Sequence, residues 1–115
     1  MSYDVSVTIE AYDDMSNIAQ YIFDEFSYDD AVEFKQKIDN RFDDIGYNPK
    51  TNIHTEFMYR GWLIYRAILS PSLVFYIVDE DNCTVYILRV LRGESNWEEK
   101  LRNRRIYHDV DGNII

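Results

Sequence analysis

The sequence predicts an α+β fold in the order β-α-α-β-β-β-α: an antiparallel sheet with a helical hairpin on one face. Three observations predict it. Between Ile9 and Ile45 apolar residues recur at helical spacing in two successive runs. Between Gly61 and Leu91 three β-branched and aromatic runs are parted by two short breaks, the pattern of an antiparallel meander. At the start of the chain Tyr3, Val5 and Val7 alternate with Asp4, Ser6 and Thr8, as in a half-buried strand.

Each element follows in order. After the first strand, Ala11, Met15, Ile18, Ala19, Ile22, Phe23 and Phe26 make one apolar stripe, so a helix runs from about Ile9 to Phe26. Ser27, with Asp30 three residues on, resembles a capping box and starts a second helix. Its stripe is Ala31, Phe34, Ile38, Phe42 and Ile45, and Gly46 is placed to end it. So short a link between two helices folds them back antiparallel. Asn48-Pro49 opens a polar loop that continues to about Glu56. The meander follows, with breaks at Ser70-Pro71-Ser72 and at Asp79-Glu80-Asp81-Asn82. Ser95 and Glu98 repeat the capping-box spacing and predict a short basic helix from about Asn96 to Arg105, anchored on the sheet by Trp97. Residues 106–115 read as a C-terminal tail or late turn. The helical hairpin covers one sheet face and leaves the other partly open.

At 115 residues the chain is expected to form one domain, and its 46% hydrophobic content argues against disorder. No apolar run reaches the roughly 18 residues of a membrane span. The first residues lack the basic start and apolar stretch of a signal peptide. Cys83 is the one cysteine, so no internal disulfide forms, which fits a cytoplasmic location. With His54 and His108 far apart, no metal site is recognisable and no cofactor is expected. The net charge of −9 is uneven: residues 1–46 hold twelve Asp/Glu against three Lys/Arg, and the remaining residues hold nine of each. So acidic a chain disfavours indiscriminate binding to nucleic acid, though a local basic patch in the second half is compatible with it.

The candidate functional residues lie in and beside the meander. Arg66 and Arg89 interrupt apolar strands on either side of the middle one. A guanidinium there must face water, a partner or an anion. Where the anion is a phosphate, the arginine fork matches its oxygens. Arg92, at the strand end, can do the same but cannot act as a base. The alternative for all three is a salt bridge to the acidic helices or a contact to a protein partner. Glu56 is a candidate base. Tyr59, Tyr65, Tyr76 and Tyr86 are candidates for stacking on bases, or else strand packing. Lys100, Arg102, Arg104 and Arg105 form a cationic run on the last helix, with Arg102 and Glu98 spaced to pair.

Several local patterns, taken together, resemble a known family. They are Tyr3-x-Val5; Asp14, Ile18, Tyr21 and Ile22; Ala31, Phe34 and Ile38 followed by Asn48-Pro49; Tyr65-Arg66; and Ile87-Leu88-Arg89-Val90-Leu91-Arg92-Gly93 with Trp97 and Leu101. In this order they resemble the RelE/ParE superfamily of bacterial type II toxins, over roughly residues 3–101. The resemblance implies a small cytoplasmic growth inhibitor of RelE-like fold, held inactive by a cognate antitoxin protein. It further implies one of two targets. Some members are endoribonucleases that bind and cleave mRNA on the ribosome, and ParE-like members inhibit DNA gyrase without enzymatic chemistry. The residues lean to cleavage, with Arg66, Arg89 and Arg92 as the catalytic candidates. A third reading is a domain that keeps antitoxin binding without activity. The superfamily often carries His where this chain has Arg92.

Overall fold

A computed structural model describes residues 2–102 and 105–115. Strand β1 (Asp4–Val7) leads directly into helix α1 (Ile9–Glu25), and α2 (Tyr28–Tyr47) returns antiparallel to it. A 3-10 turn at Pro49–Thr51 precedes four consecutive strands, β2 (Ile53–Tyr59), β3 (Trp62–Leu69), β4 (Ser72–Asp79) and β5 (Thr84–Arg92), and a short helix α3 (Trp97–Arg102). The sheet order is β1-β5-β4-β3-β2.

The α+β architecture and the helical hairpin are as the sequence predicts, with two corrections to the sheet. First, the stretch read as a polar loop is strand β2, which pairs antiparallel with β3. Its alternation was present: Thr55 and Tyr59 are buried and Phe57 half-buried, between exposed His54, Glu56 and Met58. It is an edge strand with one face in water, so its polar residues mask the pattern. Arg60 and Gly61, both at positive φ, form the two-residue turn into β3. Second, the sheet is mixed, because β1 pairs parallel with β5 from Asp4↔Thr84 to Val7↔Ile87. The helical hairpin is the crossover that makes a parallel neighbour attainable.

Helix starts follow the capping chemistry. Ser27 accepts a hydrogen bond from the Asp30 amide at 3.1 Å, as expected. Thr8 caps α1 by accepting from the Ala11 amide at 3.0 Å, while its own hydroxyl donates to the Leu88 carbonyl at 3.1 Å. Gly46 does not end α2, which runs on to Tyr47. Its role is closeness: a Cβ there would lie 2.7 Å from Val5 Cγ2, and its carbonyl accepts from the Tyr3 amide at 2.8 Å. The Ser95 capping box does not form; the Ser95 hydroxyl donates to the Arg92 carbonyl at 2.6 Å. Helix α3 is accordingly shorter than expected within the described residues, and the expected continuation through Arg104 lies outside them.

Both sheet faces are covered. Ala11, Met15, Ile38, Phe42 and Ile45 of the hairpin pack on Ala67, Val74, Tyr76, Val85, Ile87 and Val90. On the other face Leu101, Tyr107 and Trp97 pack on Ile64, Phe75, Ile77, Leu88 and Leu91. That face is thus more closed than the sequence suggested. The tail folds back through a His108–Ile114 bridge and seats Ile115 beside Tyr59. Strands β4 and β5 are buried on both sides, which is why their sequences read as continuous apolar runs. No helix among the described residues is long and apolar enough to cross a membrane.

Candidate functional site

The register places Arg66, Phe75 and Arg89 in one row across β3, β4 and β5. The two arginine backbones therefore flank the middle strand, roughly 10 Å apart at ordinary strand spacing. Their side chains do not converge. A bulge opposite Phe75 and Tyr76 inserts one extra residue into β5 just before Arg89. Arg89 then meets α1: its Nε and Nη2 donate to the two oxygens of Asp14 at 2.7 and 2.9 Å. The Val90 amide also donates to Asp14, at 3.0 Å, beyond the point where β1 stops pairing with β5.

This is a buried, bidentate pair, with side chains 10% and 12% exposed. Burial opposes the Arg89 charge, but the hydrogen bond and charge of Asp14 outweigh it and hold the guanidinium above its ordinary value. Asp14 entered the sequence analysis only as part of a motif. Its pairing with Arg89 had no local signal, since 75 residues separate the two.

Arg66 is half-buried, its guanidinium 5.9 Å from the centre of the Trp97 ring. Arg92 bonds to Glu94 at 2.5 Å and stacks 4.6 Å over Tyr21 of α1. Arg89 and Arg92 do share a cleft. At the end of β5 they line an open cavity of about 270 Å³ with Asp14, Asn17, Ser95 and Lys100. Three cations and one carboxylate meet there, and Arg66 is not among the lining residues. Lys100 of the predicted cationic run belongs to this cleft. Arg102 pairs with Glu99 at 3.2 Å, not with Glu98, and Arg104 lies outside the described residues. Arg102 and Arg105 instead line a second cavity of about 300 Å³ beside Arg60, Tyr59 and Tyr107.

The candidate proton carriers are mostly engaged elsewhere. The Tyr59 hydroxyl donates to the Ile115 carbonyl at 2.8 Å and accepts from the Tyr107 amide at 3.2 Å. Tyr65 stacks on Tyr76 with ring centres 5.4 Å apart. The Tyr76 hydroxyl donates to the Pro49 carbonyl at 2.5 Å and accepts from Asn52 at 3.1 Å; burial pushes it up to about 12. Burial also raises Tyr86. Glu56 stands exposed on the edge strand, away from the residues that line the β5 cleft. In that cleft Asp14 has both oxygens taken by Arg89 and the Val90 amide. The arrangement can hold an anion; it offers no free carboxylate to take a proton. Among the described residues no cluster of His, Cys, Asp and Glu is placed to hold a metal ion.

Known proteins resemble the chain over most of its length. The family model described as the ParE toxin of the type II toxin-antitoxin system, parDE, matches residues 5–97. Among solved structures, the chromosomal ParDE toxin-antitoxin system from P. aeruginosa superposes with a TM-score of 0.65 at 16% identity, covering 79% of this chain and 96% of that one. A mutant of the E. coli toxin RelE in the free state gives 0.60 at 12% identity, covering 88% and 94%. The RelBE2 toxin-antitoxin complex from Mycobacterium tuberculosis gives 0.56 at 20% identity, covering 80% and 99%. No curated protein sequence matches significantly.

Proposed function

The chain belongs to the ParE toxin family of type II toxin-antitoxin systems, and from that premise we propose that it halts growth by gripping its target and not by cutting RNA. It acts in the cytoplasm as one toxin unit, is neutralised by an antitoxin encoded beside it, and has DNA gyrase as its target. The observation that carries this reading is the state of the β5 cleft. Arg89, Arg92 and Lys100 supply positive charge, but the carboxylate among them, Asp14, is held by Arg89 and the Val90 amide. Cleavage by a 2′-hydroxyl needs a group free to accept its proton; holding an anionic or acidic surface needs only the cations.

Arg92 and Lys100 are the residues assigned to target contact, and Arg89 positions the cleft through Asp14. Arg66, over Trp97, stabilises the packing of α3 on the sheet. The rival reading, mRNA cleavage by Arg66, Arg89 and Arg92, rests on the same positive charge.

Expression of the chain alone should slow growth, and co-expression of the neighbouring gene should restore it. In arrested cells, mRNA 5′ ends should be unchanged while purified protein inhibits gyrase supercoiling. New mRNA ends with normal supercoiling would reverse the assignment. The double variant R92A/K100A should fold and lose toxicity. Loss of one charge-assisted contact typically weakens binding by about 2 kcal/mol, on the order of thirtyfold.

A further inference from the structure

A further cavity of about 310 Å³ adjoins the β5 cleft, sharing Ile18 and Arg92 with it, and the rest of its wall has no assigned role. It opens between the tips of α1 and α2 and the β3–β4 turn, and its apolar wall is Ile18, Ile22, Phe26, Phe34, Leu69 and Pro71. The aromatic rings that line it are exposed, Phe26 at 68% and Tyr21 at 42%. These two rings pack edge-on with centres 6.4 Å apart, and outside the cavity Phe23 packs likewise on Tyr28. A contiguous exposed apolar surface of this kind marks an interaction site.

Charge identifies the occupant. From Asp24 to Glu33 the chain holds Asp24, Glu25, Asp29, Asp30 and Glu33, and no Lys or Arg. Of the two cations on the cavity wall, Lys37 is paired with Glu33 at 3.0 Å, and Arg92, which also lines the β5 cleft, has one exposed acidic partner in Glu94. Asp24 and Asp30 have only neutral side-chain partners, Gln20 and Ser27, and Glu25 and Asp29 have no cation partner among the described residues. The groove is therefore apolar inside, with Asp30 and Glu33 on its wall and Asp24, Glu25 and Asp29 beside it at the adjoining helix ends. A second copy of this chain would bring the same acidic tip against it, and like charges disfavour that pairing. A nucleic acid is disfavoured on the same ground.

We infer that this groove docks a cationic amphipathic segment of the cognate antitoxin, with aliphatic or aromatic anchors in the cavity and Lys or Arg against the acidic rim. The assignment to the antitoxin rests on the toxin reading above. The groove and its charge do not.

The test uses the full chain and two synthetic probes, a Leu/Lys and a Leu/Glu amphipathic peptide of equal length, with affinity read by fluorescence anisotropy. The Leu/Lys peptide should bind and the Leu/Glu peptide should not. F26A, and separately E25K/D29K, should weaken Leu/Lys binding tenfold or more. D43K/D44K makes the same charge change about 20 Å along α2 and should leave it within twofold. Equal weakening by both charge variants would mean diffuse attraction and overturn the site, as would preference for Leu/Glu or a self-dimer abolished by F26A. In cells, F26A and E25K/D29K should stay toxic but escape neutralisation by the neighbouring gene product. If they are neutralised normally, the antitoxin does not dock here. If the unsubstituted chain never slows growth while the peptide results hold, the toxin reading fails and the groove stands.

Discussion

Removing the Asp14 carboxylate would strand a guanidinium that is 10% exposed, and the cost of that isolation sets the first prediction. Breaking a buried pair from one side typically costs about 3 kcal/mol or more, because the surviving charge stays desolvated. D14A should lower the guanidinium chloride midpoint accordingly with an unchanged slope, and D14A/R89A should recover part of the loss. Additive losses in that cycle would mean the two groups do not interact. Tyr76 gives a pH prediction. Its hydroxyl is pushed from 10.0 up to about 12 by burial, so the folded state holds this proton more tightly than the unfolded chain. The stability this contributes is complete below about pH 10 and is lost as the pH rises through 10 towards 12. Y76F should lose about 1–3 kcal/mol at neutral pH, by leaving the Pro49 carbonyl and the Asn52 Nδ2 without their partner, and should flatten that alkaline fall. A steep alkaline loss that survives in Y76F would place its source elsewhere.

Between elements, α2 approaches β1 closely at Gly46. A Cβ there meets Val5 Cγ2 at 2.7 Å and the Tyr3 carbonyl at 3.0 Å. Alanine in place of a helical glycine ordinarily gains up to about 1 kcal/mol, while forcing a methyl into a packed contact costs about 1–3 kcal/mol. The clash should win, so G46A should be less stable, and V5A should relieve part of the defect in the double variant. A more stable G46A by thermal denaturation would mean that β1 can shift at little cost. Helix α3 is held by two side chains, Trp97 against Phe57 and Phe75, and buried Leu101. L101A should cost about 2–4 kcal/mol and release the aromatic packing, visible as a change in tryptophan fluorescence.

Across the whole molecule, burial is concentrated in two neighbouring strands. β4 and β5 are covered on both faces; β4 has a strand on both edges and β5 does over Thr84–Ile87, whereas β2 is an edge strand with Ile53 and Met58 exposed. Hydrogen exchange should therefore be slowest at the amides of β4 and β5 and fastest, among the strands, in β2. Protection of β2 equal to that of β4 would mean that its free edge is covered in solution. Charge is divided as sharply as burial. The helical hairpin carries the acidic excess, and the cationic cleft at the end of β5 adjoins it through Ile18 and Arg92, so surfaces of opposite sign meet there.

The sequence by itself determined the elements whose signals are local. Both hairpin helices, the Ser27 cap, the three runs of the meander, the anchoring of Trp97 and the family motifs were legible, because periodicity and capping depend on residues a few positions apart. The edge strand β2 was misread because its solvent face is polar, and Gly46 because a glycine near a helix end signals a stop and a close approach alike. Tertiary structure alone decided that β1 lies parallel to β5, since a register between residues 80 positions apart leaves no mark on either strand. It also decided the candidate site. The sequence placed Arg66 and Arg89 in flanking strands, and the register bears that out. Which way each guanidinium turns was settled by a bulge before Arg89, by Asp14 arriving from α1, and by Trp97 reaching Arg66 from α3. A buried charge goes to whatever partner the packed fold brings within reach, and that partner is fixed only when distant elements meet.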